Sequence, residues 1–228
     1  MQRIAKLIAA SGLCSRREAE RWISEGRVQV EGVVVTEQGA QAEAQQVTVD
    51  GKKLPKLQAA RLWKFHKPKG VMTTRRDPEG RATYVDLLPL ELKQLHPVGR
   101  LDFNSEGLLL LTNDGALKRS LELPAQGWER VYRVRFKGVL NKATLAALAK
   151  GVTVEGVKYR PIKVKPEPGE KANQWAEVTL TEGKNREIRR VFAHFGHPVS
   201  RLIRIAYGPH RLENLAPGAV EECEGALS

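Results

Sequence analysis

Asp102 stands two residues after Arg100 in Gly99-Arg100-Leu101-Asp102-Phe103-Asn104-Ser105-Glu106-Gly107, a stretch that runs directly into Leu108-Leu109-Leu110-Leu111. A glycine-bounded loop feeding an apolar strand can hold a reactive side chain on a rigid support. Calcium ligation, turn capping and catalysis are all open to this carboxylate. Asp102-x-Asn104-x-Glu106-Gly107 copies half of a calcium loop, but the twelfth position is Asn113 and leucines fill the ligand stretch, which excludes that reading. His194 and His197 lie three apart without a third ligand close in sequence, and His66, His96 and His210 are scattered, so no metal site is expected. Gly183-Lys184 lacks the flanking residues of a phosphate loop, and no dinucleotide fingerprint occurs, so nucleotide hydrolysis has no support.

The partner is set by charge. Lys and Arg number 38 against 26 Asp and Glu, a net charge of +12 and a pI near 9.9, which favours a polyanion, with nucleic acid ahead of an anionic membrane. The excess is uneven: residues 183–211 hold Lys184, Arg186, Arg189, Arg190, Arg201, Arg204 and Arg211 against Glu187 alone. That is an electrostatic footprint for phosphates. Cys14 and Cys223 form no Cys-x-x-Cys pair, which fits a reducing, cytoplasmic compartment, and neither a signal peptide nor a membrane span is expected. A hydrophobic content of 41% suffices for a core.

Several elements must position these groups. Ile4, Leu7 and Ile8 recur at helical spacing before Gly12. Ser15-Arg16-Arg17-Glu18 reads as a capping box opening a second helix, with Ala19, Trp22 and Ile23 on its buried face and Gly26 at its end. Val28–Val30 and Val33–Val35 around Glu31-Gly32 read as a hairpin, and Val47–Val49 before Asp50-Gly51 begins another. Leu54–Arg61 reads as a linker. Beyond it, strands are expected at Leu62–Phe65, Leu108–Thr112, Val131–Phe136, Lys158–Val164 and Trp175–Thr181, and helices near Ala116–Leu123, Lys142–Lys150 and Arg186–Phe195. Pro68 and Gly70 force a turn flanked by Lys67 and Lys69. The mixture points to an α+β fold.

Residues 3–12, 15–19 and 26–32 resemble the S4 RNA-binding domain, a small α-L type module, which implies phosphate-binding roles for Arg3, Lys6, Arg16, Arg17 and Arg27. Gly99-Arg100-Leu101-Asp102 followed by Ser105-Glu106-Gly107-Leu108-Leu109-Leu110 resembles the pseudouridine synthases, in the group of small-subunit synthase A and large-subunit synthases B, E and F. Lys67-Pro68-Lys69-Gly70-Val71, Glu129–Val134 and Glu182–Arg190 match further blocks of that group. Residues 77–81, 173–175 with 178–183, and 199–205 are most similar to its large-subunit branch, which implies a uridine of 23S rRNA ahead of 16S rRNA. Phe103-Asn104-Ser105 departs from the valine-asparagine-threonine version common there, which leaves the particular uridine open.

The resemblance implies an S4 domain and linker over 1–60, a catalytic domain over 61–222 with a mixed, mainly antiparallel sheet flanked by helices, and a tail over 223–228. It implies an isomerase without a cofactor, because uridine becomes pseudouridine by exchanging an N1–C1′ bond for a C5–C1′ bond with no external group transferred. Asp102 becomes the nucleophile or general base, Arg189 its ion-pair partner, Tyr132 the group that stacks on the base or takes the C5 proton, and Arg100 the residue that orders the loop. Leu202 would floor the base pocket. Lys67, Lys69, Lys184, Arg186, Arg190, Arg201 and Arg204 would contact RNA. A monomer is expected, since no coiled-coil repeat occurs. A non-catalytic ribosome-assembly protein of the same fold is the alternative from another class.

Overall fold

The computed structural model describes residues 1–56, 59–123, 127–168 and 172–223. Residues 57–58 of the expected linker and 224–228 of the expected tail lie outside them. The chain divides into two units, Met1–Arg61 with Asn113–Gly115, and Leu62–Thr112 with Ala116–Ser228.

In the first unit a short strand β1 (Gln2–Arg3) leads into α1 (Ile4–Ala10) and α2 (Arg16–Ser24). Ile4, Leu7 and Ile8 are buried as their spacing requires, and Gly12 takes φ +81 after the helix end. Ser15 accepts the Glu18 N–H at 3.2 Å, but the capping box closes on one side only. Glu18 instead turns along the helix to the Arg21 guanidinium and to Trp22 Nε1 at 3.1 Å, since a charged donor outcompetes a backbone N–H. Ala19 and Ile23 are buried, and the half-buried Trp22 lies under the Arg27 guanidinium, 4.5 Å from its ring centroid. Strands β2 (Val28–Val30), β3 (Val33–Val34), β4 (Gln41–Ala42), β5 (Val47–Val49) and β6 (Lys52–Lys53) follow. The sheet order is β3-β2-β5-β6, and β4 pairs with β1. Both hairpin turns, Glu31-Gly32 and Asp50-Gly51, have two residues at positive φ, the twist that two-residue hairpins need.

The second unit holds β7 (Leu62–Lys67), β8 (His96–Val98), β9 (Glu106–Thr112), α3 (Gly115–Glu122, whose first residue falls in the first unit), β10 (Arg130–Lys137) and α4 (Lys142–Lys150). It continues through β11 (Thr153–Val154), β12 (Val157–Lys158), β13 (Lys163–Pro166), β14 (Asn173–Leu180), α5 (Glu187–His194), β15 (Val199–Tyr207), β16 (His210–Arg211) and β17 (Val220–Glu222). Among the described residues nine strands form one sheet, ordered β13-β14-β10-β15-β9-β7-β17, with β16 on β15 and β8 on β9. Its pairs are antiparallel except β15–β9, which gives the expected α+β fold with a mixed, mainly antiparallel sheet. On β10 the pattern has period two: Tyr132, Val134 and Phe136 are buried, while Arg133, Arg135 and Lys137 are exposed. Leu148 of α4 and Ile188, Val191 and Phe192 of α5 join that buried face in one core.

The strand expected over Lys158–Val164 is broken in two. Pro161 has no N–H to give a ladder, and the chain leaves the sheet so that Tyr159 and Ile162 enter the core, their N–H groups bonding Val152 O and Leu148 O at 2.8 Å.

Gly107 sits where β9 meets β15 in parallel, opposite Arg204, with φ +107. A Cβ there would lie 2.3 Å from the Arg204 carbonyl oxygen and 2.6 Å from its nitrogen. Strain and clash act together, so Gly107→Ala is expected to cost about 2–4 kcal/mol in urea unfolding. A loss below about 0.5 kcal/mol would show that the junction has room, since that is the range of neutral surface changes.

Candidate active site

The Asp102 loop is held by its own carbonyls. Thr73 Oγ1 donates to Leu101 O at 2.7 Å, and Lys67 Nζ donates to Asp102 O at 3.2 Å and Ser105 O at 2.8 Å. Gly70 N–H donates to Phe103 O at 2.8 Å, and Arg189 Nη2 to Asn104 O at 2.9 Å. Five consecutive carbonyls are thereby bound, and Thr73 Oγ1 also accepts the Leu101 N–H at 3.2 Å. The start of the loop is fixed by Glu122, which accepts the Gly99 N–H at 2.7 Å. With its carbonyls paired one by one, the loop backbone is tied to the segments around it.

Lys67 is fully buried, and its third donor bond goes to Pro68 O at 3.1 Å. Burial pushes its ammonium down to about 8, against the opposing charges of Asp102 and Glu106 and with Arg204 adding to the fall.

Asp102 lines a cavity of about 770 Å³ together with Tyr132, Leu202 and Arg100. The volume is in the range of small-molecule sites. Tyr132 and Leu202 are buried on neighbouring strands β10 and β15. Arg130, Arg204 and Tyr207 form another wall: Arg130 Nη2 donates to Tyr207 Oη at 3.0 Å, and the Arg130 and Arg204 guanidinium carbons lie 4.8 and 5.2 Å from the Tyr207 ring centroid.

Among the described residues the cation that pairs with the Asp102 carboxylate is Arg186, whose Nη1 is 3.9 Å from Oδ2. Arg186 has φ 51 immediately before α5, a left-handed conformation that turns it out of the helix. The expected Asp102–Arg189 ion pair is replaced. Arg189 forks onto the carbonyls of Val199 at 3.0 Å and Asn104, and it does not line the cavity. Its guanidinium still feels Asp102: burial lowers its proton affinity, Arg186 lowers it further and Asp102 opposes both. Arg189 therefore supports the loop from behind. Arg100 is exposed and makes no hydrogen bond or ion pair among the described residues, so loop order comes from Lys67, Thr73 and Arg189 instead.

The expected RNA contacts divide by burial. Arg3, Lys6, Arg16, Arg17, Lys69, Arg186 and Arg190 are exposed. Lys67 and Arg204 are buried, the latter donating from Nε to Leu108 O at 2.7 Å, so neither reaches a surface phosphate. Arg27 is half-buried and bidentate on Asp50 at 3.0 and 2.6 Å, and Arg201 is bidentate on Glu106 at 2.6 and 3.2 Å. Lys184 donates to Lys158 O at 2.7 Å and Glu182 at 2.6 Å.

Sequence reasoning missed Thr73, Glu122 and the cavity-lining pair Glu182–Glu187. Glu182 accepts from Arg160 N–H at 2.7 Å and from Lys184, contacts that outweigh its burial and keep it below the usual carboxyl range. Glu187 is buried and accepts only the Lys184 N–H at 3.0 Å, leaving Oε1 without a donor. Burial, with the Glu182 charge behind it, pushes its carboxyl up to about 7. The two carboxyls are thereby pushed apart, Glu182 toward the ionised form and Glu187 toward the protonated one.

The family model described as RNA pseudouridylate synthase matches residues 61–194, and the S4 domain model matches residues 2–47. A Rickettsia felis protein named as an uncharacterized RNA pseudouridine synthase is 45% identical over 228 residues, covering 100% of this chain and 99% of that protein. The Bacillus subtilis ribosomal large subunit pseudouridine synthase B is 37% identical over 225 residues, covering 97% of this chain and 92% of that protein. A crystal structure of a pseudouridylate synthase superposes with a TM-score of 0.69 at 26% identity, covering 98% of this chain and 96% of the other.

Glu187 yields a pH prediction. Its folded value lies above the ordinary carboxyl value, so its contribution to stability is fully present at acid pH and is lost as pH rises toward about 7. Glu187→Gln keeps the neutral shape without the titration. The unfolding midpoint of the variant minus that of the parent should rise between about pH 5 and pH 8. A constant difference across that range would mean that Glu187 is ionised throughout.

Proposed function

The chain belongs to the RNA pseudouridylate synthase family and carries an S4 domain, and on that premise we propose that it isomerises one uridine of 23S rRNA, with Asp102 as the reactive carboxylate. It is an isomerase acting on RNA. The large-subunit name of the Bacillus subtilis relative supports rRNA, and 23S rRNA in particular, as substrate.

The observation that carries the site assignment is the meeting of Asp102, Tyr132 and Leu202 in one cavity with Arg186 at 3.9 Å from the carboxylate. A uridine stacked in folded RNA must swing out to enter such a cavity, at a cost of a few kcal/mol. Leu202 and the Tyr132 ring then give the uracil apolar and aromatic surface. Asp102 acts at the ribose as the N1–C1′ bond breaks, the uracil turns and C5 bonds to C1′, with the C5 proton lost and N1 protonated. Arg186 balances the carboxylate as charge shifts between sugar and base. Arg3, Lys6, Arg16 and Arg17, all exposed, give the S4 domain a phosphate-binding surface. We assign the S4 domain and linker to 1–60 and catalysis to 61–222. Among the described residues no helix is long and apolar enough to cross a membrane, and we assign the reaction to the cytoplasm, where ribosomal RNA is made.

The test is carbodiimide mapping of pseudouridine in rRNA from cells lacking the protein, complemented with the parent chain or Asp102→Asn. One 23S position should lose its pseudouridine, regain it with the parent and stay unmodified with the variant. Restoration by Asp102→Asn would remove the catalytic assignment, and no missing 23S position would remove the substrate.

A further inference from the structure

Asp102 lines the cavity, whereas the next residue, Phe103, does not, and its side chain is 39% exposed. Among the described residues it is the sole aromatic in the set of exposed large apolar side chains. A single exposed apolar residue needs no explanation on an ordinary surface. Phe103 differs in how its backbone is held. Its carbonyl accepts the Gly70 N–H at 2.8 Å, the carbonyl before it is bound by Lys67 and the one after it by Arg189. On a mobile loop the ring could fold back onto apolar surface, but this backbone has no slack to carry it there. The side chain therefore stays partly exposed one residue, or about 3.8 Å of backbone, from the reactive carboxylate.

We propose that Phe103 is a stacking platform for the nucleobase adjacent to the target uridine, occupying the gap that opens in the RNA stack when that uridine enters the cavity. The proposal rests on the reading of Asp102 as the group that meets the ribose. If the ribose of one nucleotide is at Asp102, the neighbouring base is the RNA surface within reach of the next side chain. A phenyl ring can take any base, because every base offers a π-face, and only a folded stack has a gap to refill when the uridine leaves it. Lys69, next to the Gly70 that binds Phe103 O, and Arg186, 3.9 Å from the Asp102 carboxylate, are both exposed and supply phosphate-compatible charge near the loop. Phe103 is thus the element that favours a uridine in folded RNA over the same uridine in a loose strand.

The experiment measures kcat/KM of the full chain on an unmodified 23S rRNA transcript and on a short unstructured oligonucleotide spanning the uridine found by mapping. For Phe103→Ala the ratio of the two values should fall about tenfold or more, the size expected for losing one aromatic–base stack. Phe103→Trp should keep the parental ratio, and Phe103→Leu, apolar but not aromatic, should fall with the alanine variant. Equal losses on both substrates, an unchanged ratio for Phe103→Ala, or full rescue by leucine would overturn the proposal. Asp102→Asn assayed alongside separates the two readings, since turnover by that variant would remove the catalytic assignment whatever Phe103 does.

Discussion

Everything at the site depends on the carbonyls of Leu101 to Ser105, because a loop can place a carboxylate reproducibly only if its backbone has no alternative partners. Each of those carbonyls is bound from another element, and the buried Lys67 ammonium takes two of them. An ammonium suits the task because its three donors radiate from one point at the end of a flexible stem. Its cost is a buried cation, visible in the fall of its proton affinity to about 8. That cost is tolerated because each donor has an oxygen and the negative charges of Asp102 and Glu106 lie close by.

The same constraint explains where the loop sits in the fold. It ends in β9, which pairs with β7 on one side and makes the sheet's parallel contact with β15 on the other. Gly107 lets the strands approach backbone to backbone, and Arg204 crosses the contact to bind Leu108 O. Tyr132 and Leu202 reach the cavity from β10 and β15, while Asp102 reaches it from the loop before β9, held by Lys67 at the end of β7. A junction between differently directed strands thus brings together groups far apart in sequence. Arg186 completes the set through a left-handed residue at the start of α5, which separates its direction from that of Arg189.

Much of this was legible beforehand where signals are local. Hairpins announced by Glu31-Gly32 and Asp50-Gly51, helices with caps and glycine stops, and the Asp102 loop all follow from short-range chemistry. The choice between Arg186 and Arg189 was not legible, because one turn of helix separates them and only the φ of Arg186 decides which faces Asp102. Lys67 and Arg204, both expected to contact RNA, are the two of that set that the fold buries. Strand alternation carried the opposite message: Lys67 shares a face with Trp63 and Phe65, and Arg204 with Leu202 and Ala206, all buried. Period-two position outranks residue type when a cation stands in a core strand. The contrast between Glu182 and Glu187 needs three dimensions, since it comes from burial rather than spacing.

The role that burial and its carbonyl bonds give Lys67 is to place Asp102. Its most direct test is the single-turnover rate of pseudouridine formation for Lys67→Met, read with RNA affinity and the urea-unfolding midpoint. The variant should fold and bind RNA as the parent does but react about a hundredfold more slowly, the scale of a misplaced catalytic group. A variant that reacts at the parental rate, or one whose loss lies in RNA affinity alone, would contradict it.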